Sequence, residues 1–420
     1  MRLEPLVASP ALQCGALCRF CGGALHGFLD LGMSPLCESF VAPHELNQVE
    51  RFYPLTLFVC PSCWLVQLQQ YVDPAQIFTE YAYYSSYSEA YLQHGRSYTE
   101  MILRRFGLGP SSRIIELASN DGYLLQHFVA RGMLVLGIEP ARNVAQAAEA
   151  KGVPTLVEFF GEELARQLAT QGQQADLIIA NNVLAQVPDL NSFVAGLKLL
   201  LKPFGVATIE FPHVMRLIDG NQCDTVYHEH FSYFSLLACG ALFGKHGLDI
   251  FDVEEIWTHG GSLRLYLCHA GTRLVSPVVE TLRQRERLGG LDRIGTYDIF
   301  ARRVVEAKHN LVDFLINAKR RGKSIAAYGA PGKANTLLNY CGIRTDFIDY
   351  TVDRNPYKHG KYMPGTHIPI HPPERLAQTR PDYVLILPWN LKDEILTQLR
   401  YVRDWGGQFV LPIPNVGVVS

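Results

Sequence analysis

Thr225 to Ser235, TVYHEHFSYFS, crowds two histidines, a glutamate, two tyrosines and two phenylalanines into eleven residues. Histidine titrates near neutrality, a neighbouring carboxylate can orient it, and a phenol can donate to an oxyanion. Those properties mark Tyr227, Glu229 and His230 as a catalytic group. The rival chemistry is a metal site, for which His228 and His230 would need a third ligand that does not stand nearby. Phe231, Tyr233 and Phe234 are assigned to the core. A helix would make His228 a neighbour of Asp224, but HEHF is equally a loop.

Six of the ten cysteines, Cys14, Cys18, Cys21, Cys37, Cys60 and Cys63, fall in the first part of the chain. Cys18 and Cys21, and again Cys60 and Cys63, form CxxC knuckles with turn formers at Gly22, Gly23 and Pro61. Each such turn presents two sulfurs to one metal, and zinc prefers four thiolates in a tetrahedron. The alternatives are a redox pair or four buried thiols. Four protein ligands leave no open position, so the zinc is assigned to folding rather than catalysis. Cys14 and Cys37 remain as spare ligands.

IIELASNDGYLL puts Glu116 at the end of a strand, followed by a small-residue turn through Ala118, Asn120 and Gly122 and a helix from Tyr123 onward. Such a turn at the carboxyl edge of a parallel sheet is where nucleotide-like ligands bind. The next strand ends in GIEPA, placing Glu139 where an acid can accept from ribose hydroxyls, and a later one ends at Asn181 and Asn182. GxGxxG is absent, which disfavours NAD; the pattern suits S-adenosylmethionine. Further on, YGAPGKANTL lacks the spacing of an ATP-hydrolysing phosphate loop. The turn from Gly329 to Gly332 can still bind an anion through backbone N–H groups, with Lys333 nearby, or be a plain strand-to-helix turn.

The elements that must position these residues divide the chain in three. Residues 1–75 are a small zinc-binding domain, cysteine-rich and with short strand-like runs such as FYPLTLFVC. Residues 76–275 begin with an aromatic helix-like segment, YAYYSSYSEAYLQHG. Apolar strands (SRIIELA, MLVLGIE, ADLIIANN, GVATIEF) then alternate with helices at 124–130, 144–150, 162–169 and 190–201. That alternation predicts a parallel, doubly wound sheet closed by an antiparallel pair, LDIFDVEEIW and SLRLYLCHA, and the residues at its strand ends make it a Rossmann-like methyltransferase candidate. Residues 276–420 open with one long charged helical connector, about 278–321. A second α/β unit follows: strand SIAAYG, helix KANTLLNY, strands TDFIDYTVD and PDYVLILPW, a helix through Arg403 and GGQFVLPIP. TVYHEHF follows GVATIEF and therefore emerges at the same sheet edge as the cofactor turn.

Composition narrows the classes. In 420 residues, 48% are apolar and 19% charged, as in a soluble globular protein, and the length allows two or three domains. A net charge of -2 without a dense Lys/Arg run gives no footprint for nucleic acid or an anionic membrane. MRLEPLVASPALQ has no signal-peptide apolar region and no apolar run of about 18 residues occurs, which predicts a cytoplasmic protein whose cysteines are ligands or buried thiols. No coiled-coil heptad marks an obligate dimer, leaving monomer or homodimer.

The CxxC pair, IELASNDGYLL, TVYHEHFSYFS and AAYGAPGKANTLLNYCG, in this order and spacing, resemble the three-domain sugar C-methyltransferases of deoxysugar and antibiotic biosynthesis. The resemblance covers nearly the whole chain, and the HEH and GAPGK segments are its most specific parts. It implies an S-adenosylmethionine domain between a zinc domain and a Rossmann-like domain, with a dTDP-linked 4-keto-deoxysugar bound between the last two. In that chemistry a base removes the C3 hydrogen beside a C4 ketone and the enolate attacks the sulfonium methyl. His230 is similar to the family's base, with Glu229 and Tyr227 beside it, and Tyr83 looks like its second active-site tyrosine, unless Tyr84 or Tyr87 fills that role. The same resemblance places Tyr84, Tyr87, His228, Gly329 and Lys333 on the substrate side. One departure is Gln186, which follows NNVLA where the family pattern has a histidine. Two rivals carry other chemistry: a nucleotide-sugar oxidoreductase or epimerase, and a zinc-ribbon RNA methyltransferase.

Overall fold

The computed structural model describes residues 15–79, 84–87 and 89–419. Its first sheet is antiparallel and built around the cysteine-rich segment: β1 (His26–Ser34), β2 (Tyr53–Val59), β3 (Val66–Leu68) and β9 (Ser232–Tyr233) lie in that order. Its last strand comes from the segment opened by TVYHEHF, so the catalytic candidate is stitched directly onto the cysteine module.

The seven-stranded sheet contains β4 (Arg113–Leu117), β5 (Leu134–Ile138), β6 (Thr155–Leu156), β7 (Ala175–Asn181), β8 (Leu201–Pro212), β10 (Leu248–Ile256) and β11 (Ser262–His269). Their spatial order is β10-β11-β8-β7-β4-β5-β6. β4 and β7 are almost wholly buried, as parallel strands covered by helices on both faces must be. β4, β5, β6, β7 and β8 run parallel, while β11 is antiparallel to β8 and to β10. The order reverses between β4 and β7, which opens a crevice at their carboxyl ends.

A third sheet is ordered β14 (Ile370–His371), β13 (Thr351–Val352), β12 (Ile325–Tyr328), β15 (Tyr383–Ile386), β16 (Gln408–Leu411) and β17 (Gly417–Val419). All neighbours are parallel except β16 and β17. The connector is two helices, Pro277–Leu288 and Ile294–Arg320, rather than one; Gly289 and Gly290 break it, Gly290 with φ +78°. Of the expected helix at 124–130 only Gln126–Val129 is regular, and TDFIDYTVD contributes only Thr351 and Val352 to a strand. The helix expected through Arg403 is Lys392–Gln398 followed by a 3-10 segment, Arg400–Trp405.

The apolar core follows the sheets only in part. Leu29, Leu31, Leu55 and Leu57 of the first sheet share one buried cluster with Val304 and Leu311 of the connector and Ile325 and Leu338 of the last unit. No helix among the described residues is long and apolar enough to cross a membrane.

Candidate active site

The carboxyl edges of both parallel sheets and the cysteine module border a single cavity of about 1530 Å³. Of the residues singled out from sequence, its walls contain Tyr84, Tyr87, Ala118, Asn120, Tyr123, Glu139, Asn181, Asn182, Gln186, Tyr227, Glu229, His230 and Lys333. Tyr83 lies outside the described residues. Glu116, Gly122, His228 and Gly329 do not line it, each for a reason given below.

TVYHEHF is a turn, not a helix: the His230 N–H donates to the Tyr227 carbonyl at 2.9 Å. The loop is held from three sides. Phe231 N–H donates to Ala185 O at 2.7 Å, Leu68 N–H to Phe231 O at 3.0 Å, and Thr336 Oγ1 to Val226 O at 2.6 Å. The imidazole of His230 lies against the Tyr227 ring, centroids 4.3 Å apart. Burial, reinforced by His259 and Lys333, pulls His230 down to about 3, so its ring is neutral. Burial pushes the Tyr227 phenol well up, which keeps its proton available for donation. Glu229 is buried and accepts from the Cys37 thiol at 3.3 Å. His228 faces the other way; its Nε2 pairs with Pro54 O at 3.1 Å and its ring meets Tyr53 edge-on.

At the methyltransferase end the loop after β4 is tightly wound, with Ala118 (φ +52°), Asn120 (φ +49°) and Gly122 (φ +74°) all left-handed. Gly122 packs behind the loop, where a Cβ would meet Val153 Cγ2 at 3.0 Å. Glu139 Oε2 accepts from Asn120 N at 2.9 Å and Oε1 from Ala141 N at 2.9 Å. Each oxygen has a lone pair left, so the carboxylate can still take ribose hydroxyls. Glu116 lies behind the wall, its Oε2 buried without a partner, and burial with Glu139, Asp121 and Glu210 pushes its carboxyl well up. Asn182, also left-handed at φ +56°, has a buried Oδ1 without a partner. Orphan acceptors and an acidic floor suit a ligand that carries an ammonium, a sulfonium and a ribose, and S-adenosylmethionine is such a ligand.

The opposite wall is the start of the helix Gly332–Cys341, where Pro331, Gly332 and Lys333 line the cavity and the first turn's N–H groups have no partner within the helix. Lys333 Nζ donates to Asn390 Oδ1 at 2.7 Å and lies 4.6 Å over the Trp389 ring. Gly329 shapes this wall without lining it: at φ +91° a Cβ would strike Pro388 Cδ at 2.6 Å.

The four knuckle cysteines converge. Cys18 and Cys63 sulfurs are 3.6 Å apart, Cys21 and Cys60 sulfurs 3.4 Å, and all four lie within 4.8 Å of one another. A tetrahedron with bonds of about 2.3 Å has edges of about 3.8 Å, so the donor set fits zinc. Cys37 is not a spare ligand, since its thiol is spent on Glu229 in the cavity wall. Cys14 lies outside the described residues.

Sequence reading missed several residues here. His259, in the hairpin between β10 and β11, lines the cavity and bonds Tyr91 Oη through Nε2 at 2.8 Å. Asp224 accepts from Trp389 Nε1 at 2.7 Å and ties the catalytic loop to the last unit. Cys37 and Glu38 bring the cysteine module into the wall. Spacing carries no signal for His259, Cys37 or Glu38, which meet the site only through the third dimension, and Asp224, adjacent to the loop in sequence, finds its partner Trp389 in the same way.

Three family models match in succession: a zinc binding domain at residues 18–78, a methyltransferase domain at 89–253 and a C-methyltransferase C-terminal domain at 257–414. The chain is 35% identical to the C-methyltransferase NovU of Streptomyces niveus over 407 residues, 96% of either chain. A ubiquinone biosynthesis O-methyltransferase of Bartonella bacilliformis is 25% identical over 107 residues, 25% of this chain and 43% of that one. Among solved structures, magnesium protoporphyrin IX methyltransferase of Synechocystis PCC 6803 overlaps 43% of this chain and 83% of its own, at 14% identity and a TM-score of 0.34.

Proposed function

The chain belongs to the C-methyltransferase family, and on that premise we propose that it methylates C3 of a dTDP-linked 4-keto-deoxysugar with His230 as general base. The observation that carries this reading is that one cavity is lined by a neutral histidine, a protonated phenol, the Glu139 side chain and the start of the helix at Gly332. When bound, S-adenosylmethionine supplies an electrophilic methyl. Asn120, Glu139 and Asn182 hold and orient it.

One nitrogen of the neutral His230 ring takes the C3 proton. As the C–H pair becomes the C3=C4 bond and the proton passes to His230, charge grows on the C4 oxygen, where Tyr227 donates; Tyr83 is assigned the same role. Lys333 and the helix N-terminus take the diphosphate, which orients the sugar toward His230. Tyr84 and Tyr87 form the aromatic side of the substrate channel. Gln186 can hydrogen-bond the sugar but cannot take a proton, so proton removal rests on His230. In this reading the three parts of the chain, 1–75, 76–275 and 276–420, fold, donate and recognise respectively.

The test is mass spectrometry of the protein with S-adenosylmethionine and a panel of dTDP-4-keto-deoxysugars in deuterated water. A product heavier by one methyl, with deuterium at the carbon next to the ketone when the donor is withheld, is the expected result. Donor binding without either signal on any panel member would remove the ketosugar.

A further inference from the structure

Among the described residues of the wall, His259 is the one whose backbone is strained and whose ring nitrogen has no partner. It has φ +55° and ψ +19°, a left-handed conformation that costs a residue with a Cβ about 1–3 kcal/mol unless its surroundings enforce it. They do so here. Thr258 O accepts from Gly261 N at 2.9 Å and from Ser262 Oγ at 2.9 Å, while Gln222 Nε2 donates to Gly260 O at 3.0 Å. Gly260 and Gly261 are themselves at φ +89° and +118°, and a Cβ on Gly260 would meet Trp389 at 2.9 Å. The hairpin is thereby clamped between the catalytic-loop side and the C-terminal unit with one ring projecting from it.

That ring is oriented as well as placed. Tyr91 meets it edge-on, centroids 5.9 Å apart, and engages Nε2 at 2.8 Å. Nδ1 is buried and has no partner, in a residue that borders the cavity shared with His230 and Lys333. A plain turn residue would need neither the strain nor the tyrosine, and an unpaired buried nitrogen costs free energy unless a ligand pairs it.

We propose that His259 is a second catalytic residue, a neutral imidazole whose Nδ1–H donates to the substrate's ketone oxygen while His230 takes the proton from the adjacent carbon. In this arrangement Tyr91 donates to Nε2, the pairing that goes with the tautomer carrying hydrogen on Nδ1. The balance is simple: the C–H pair becomes the C=C bond, the C=O π pair moves onto oxygen, and the proton resides on His230. His259 keeps its own proton and shares it with the oxyanion. Burial and the charge of Lys333 bring its imidazole down to about 4, so the ring is neutral at neutral pH, and a neutral donor leaves the oxyanion basic enough to react at carbon.

This inference rests on the ketone reading above, and the experiment separates the two. Exchange of the α-hydrogen of a dTDP-4-keto-deoxysugar is followed in deuterated water with S-adenosylhomocysteine, so methyl transfer is not part of the readout. Asparagine and glycine both tolerate a left-handed backbone, so His259→Asn and His259→Gly remove the ring without disturbing the hairpin. Both should exchange about 100-fold more slowly than wild type, as for loss of an oxyanion donor, with sugar affinity within about threefold. Tyr91→Phe should give a smaller loss of the same kind. Wild-type exchange with both His259 variants within about threefold of it would overturn this inference alone. A wild type that exchanges no ketosugar would overturn the ketone reading and this inference with it.

Discussion

Burial holds the His230 imidazole at about 3, far under its ordinary 6.5, so the proposed base stays unprotonated through the mildly acidic range. The group that must be deprotonated is the one whose charged form the site disfavours, and the acid limb of kcat/KM should therefore lie below pH 6.5. A pH profile whose acid limb lies at or above 6.5 would contradict the assignment. Turnover creates an imidazolium there, a charge that burial and the neighbouring His259 and Lys333 disfavour. His230→Asn, which keeps the shape but cannot accept the proton, should lower kcat by more than about 100-fold, since general-base catalysis contributes 10²–10⁴-fold. Calorimetry with S-adenosylhomocysteine should show affinity within about twofold of wild type; a tenfold loss would mean that the loop, not the base, had been disturbed. Residue types singled this group out, and Tyr227, Glu229 and His230 do meet in one cavity wall while His228 turns away from it. His259 was not legible, because a lone histidine before two glycines looks like turn chemistry, and only its dihedrals and open Nδ1 distinguish it. Cys37 was misread as a spare zinc ligand for a related reason: composition groups it with the knuckles, whereas its partner, Glu229, is 192 positions away.

Elements were legible wherever local pattern decides them. The apolar runs of β4, β7 and β8 and the hairpin of β10 with β11 lie where alternation puts them, because a doubly covered parallel strand must be apolar along its length. Pairings with no local cause were not legible, and β9 is the instructive one. Its two residues follow directly on His230 and Phe231 and pair with β3 of the cysteine module. Gln67 of β3 in turn donates to Cys18 Sγ at 3.2 Å, and the Arg19 guanidinium reaches Leu68 O and Pro188 O. The zinc knuckle is thus two hydrogen-bonded steps from the base. Cys60→Ser should lower soluble yield, and the fraction that folds should bind the donor normally but turn over at least about tenfold more slowly. Wild-type yield from zinc-free Cys60→Ser protein would sink the structural role of the metal. The same logic applies to the helix start at Gly332, where an added Cβ would lie 2.9 Å from Cys37 Sγ. Gly332→Ala should cost about 1–3 kcal/mol of stability by overpacking and raise KM for the nucleotide sugar more than for the donor. An unchanged denaturation midpoint and KM would show that the wall yields.

At the scale of the molecule, the site exists only because the last α/β unit is docked against the methyltransferase sheet, and one polar contact reports on that docking. Trp389 Nε1 donates to Asp224 Oδ2 at 2.7 Å, while Asp224 is fully buried and its Oδ1 has no partner. Burial raises this carboxyl to about 6, with Lys333 and the indole N–H pulling the other way. A carboxyl raised in the folded state above its ordinary 3.8 contributes stability that is complete below 3.8 and lost as pH rises through 6. The indole bond limits that loss. Trp389→Phe keeps most of the apolar contact and removes the donor, leaving a buried carboxylate short of a partner at a cost of about 1–3 kcal/mol. The penalty should be larger at pH 7.5, where Asp224 is ionised, than at pH 5, where it is protonated. Because Trp389 also lies under Lys333, the variant should raise KM for the nucleotide sugar while affinity for S-adenosylhomocysteine stays unchanged. Thermal denaturation at the two pH values checks the first part and steady-state kinetics the second. A penalty independent of pH would mean that Asp224 is not ionised behind the interface, and an unchanged sugar KM would detach the interface from substrate binding.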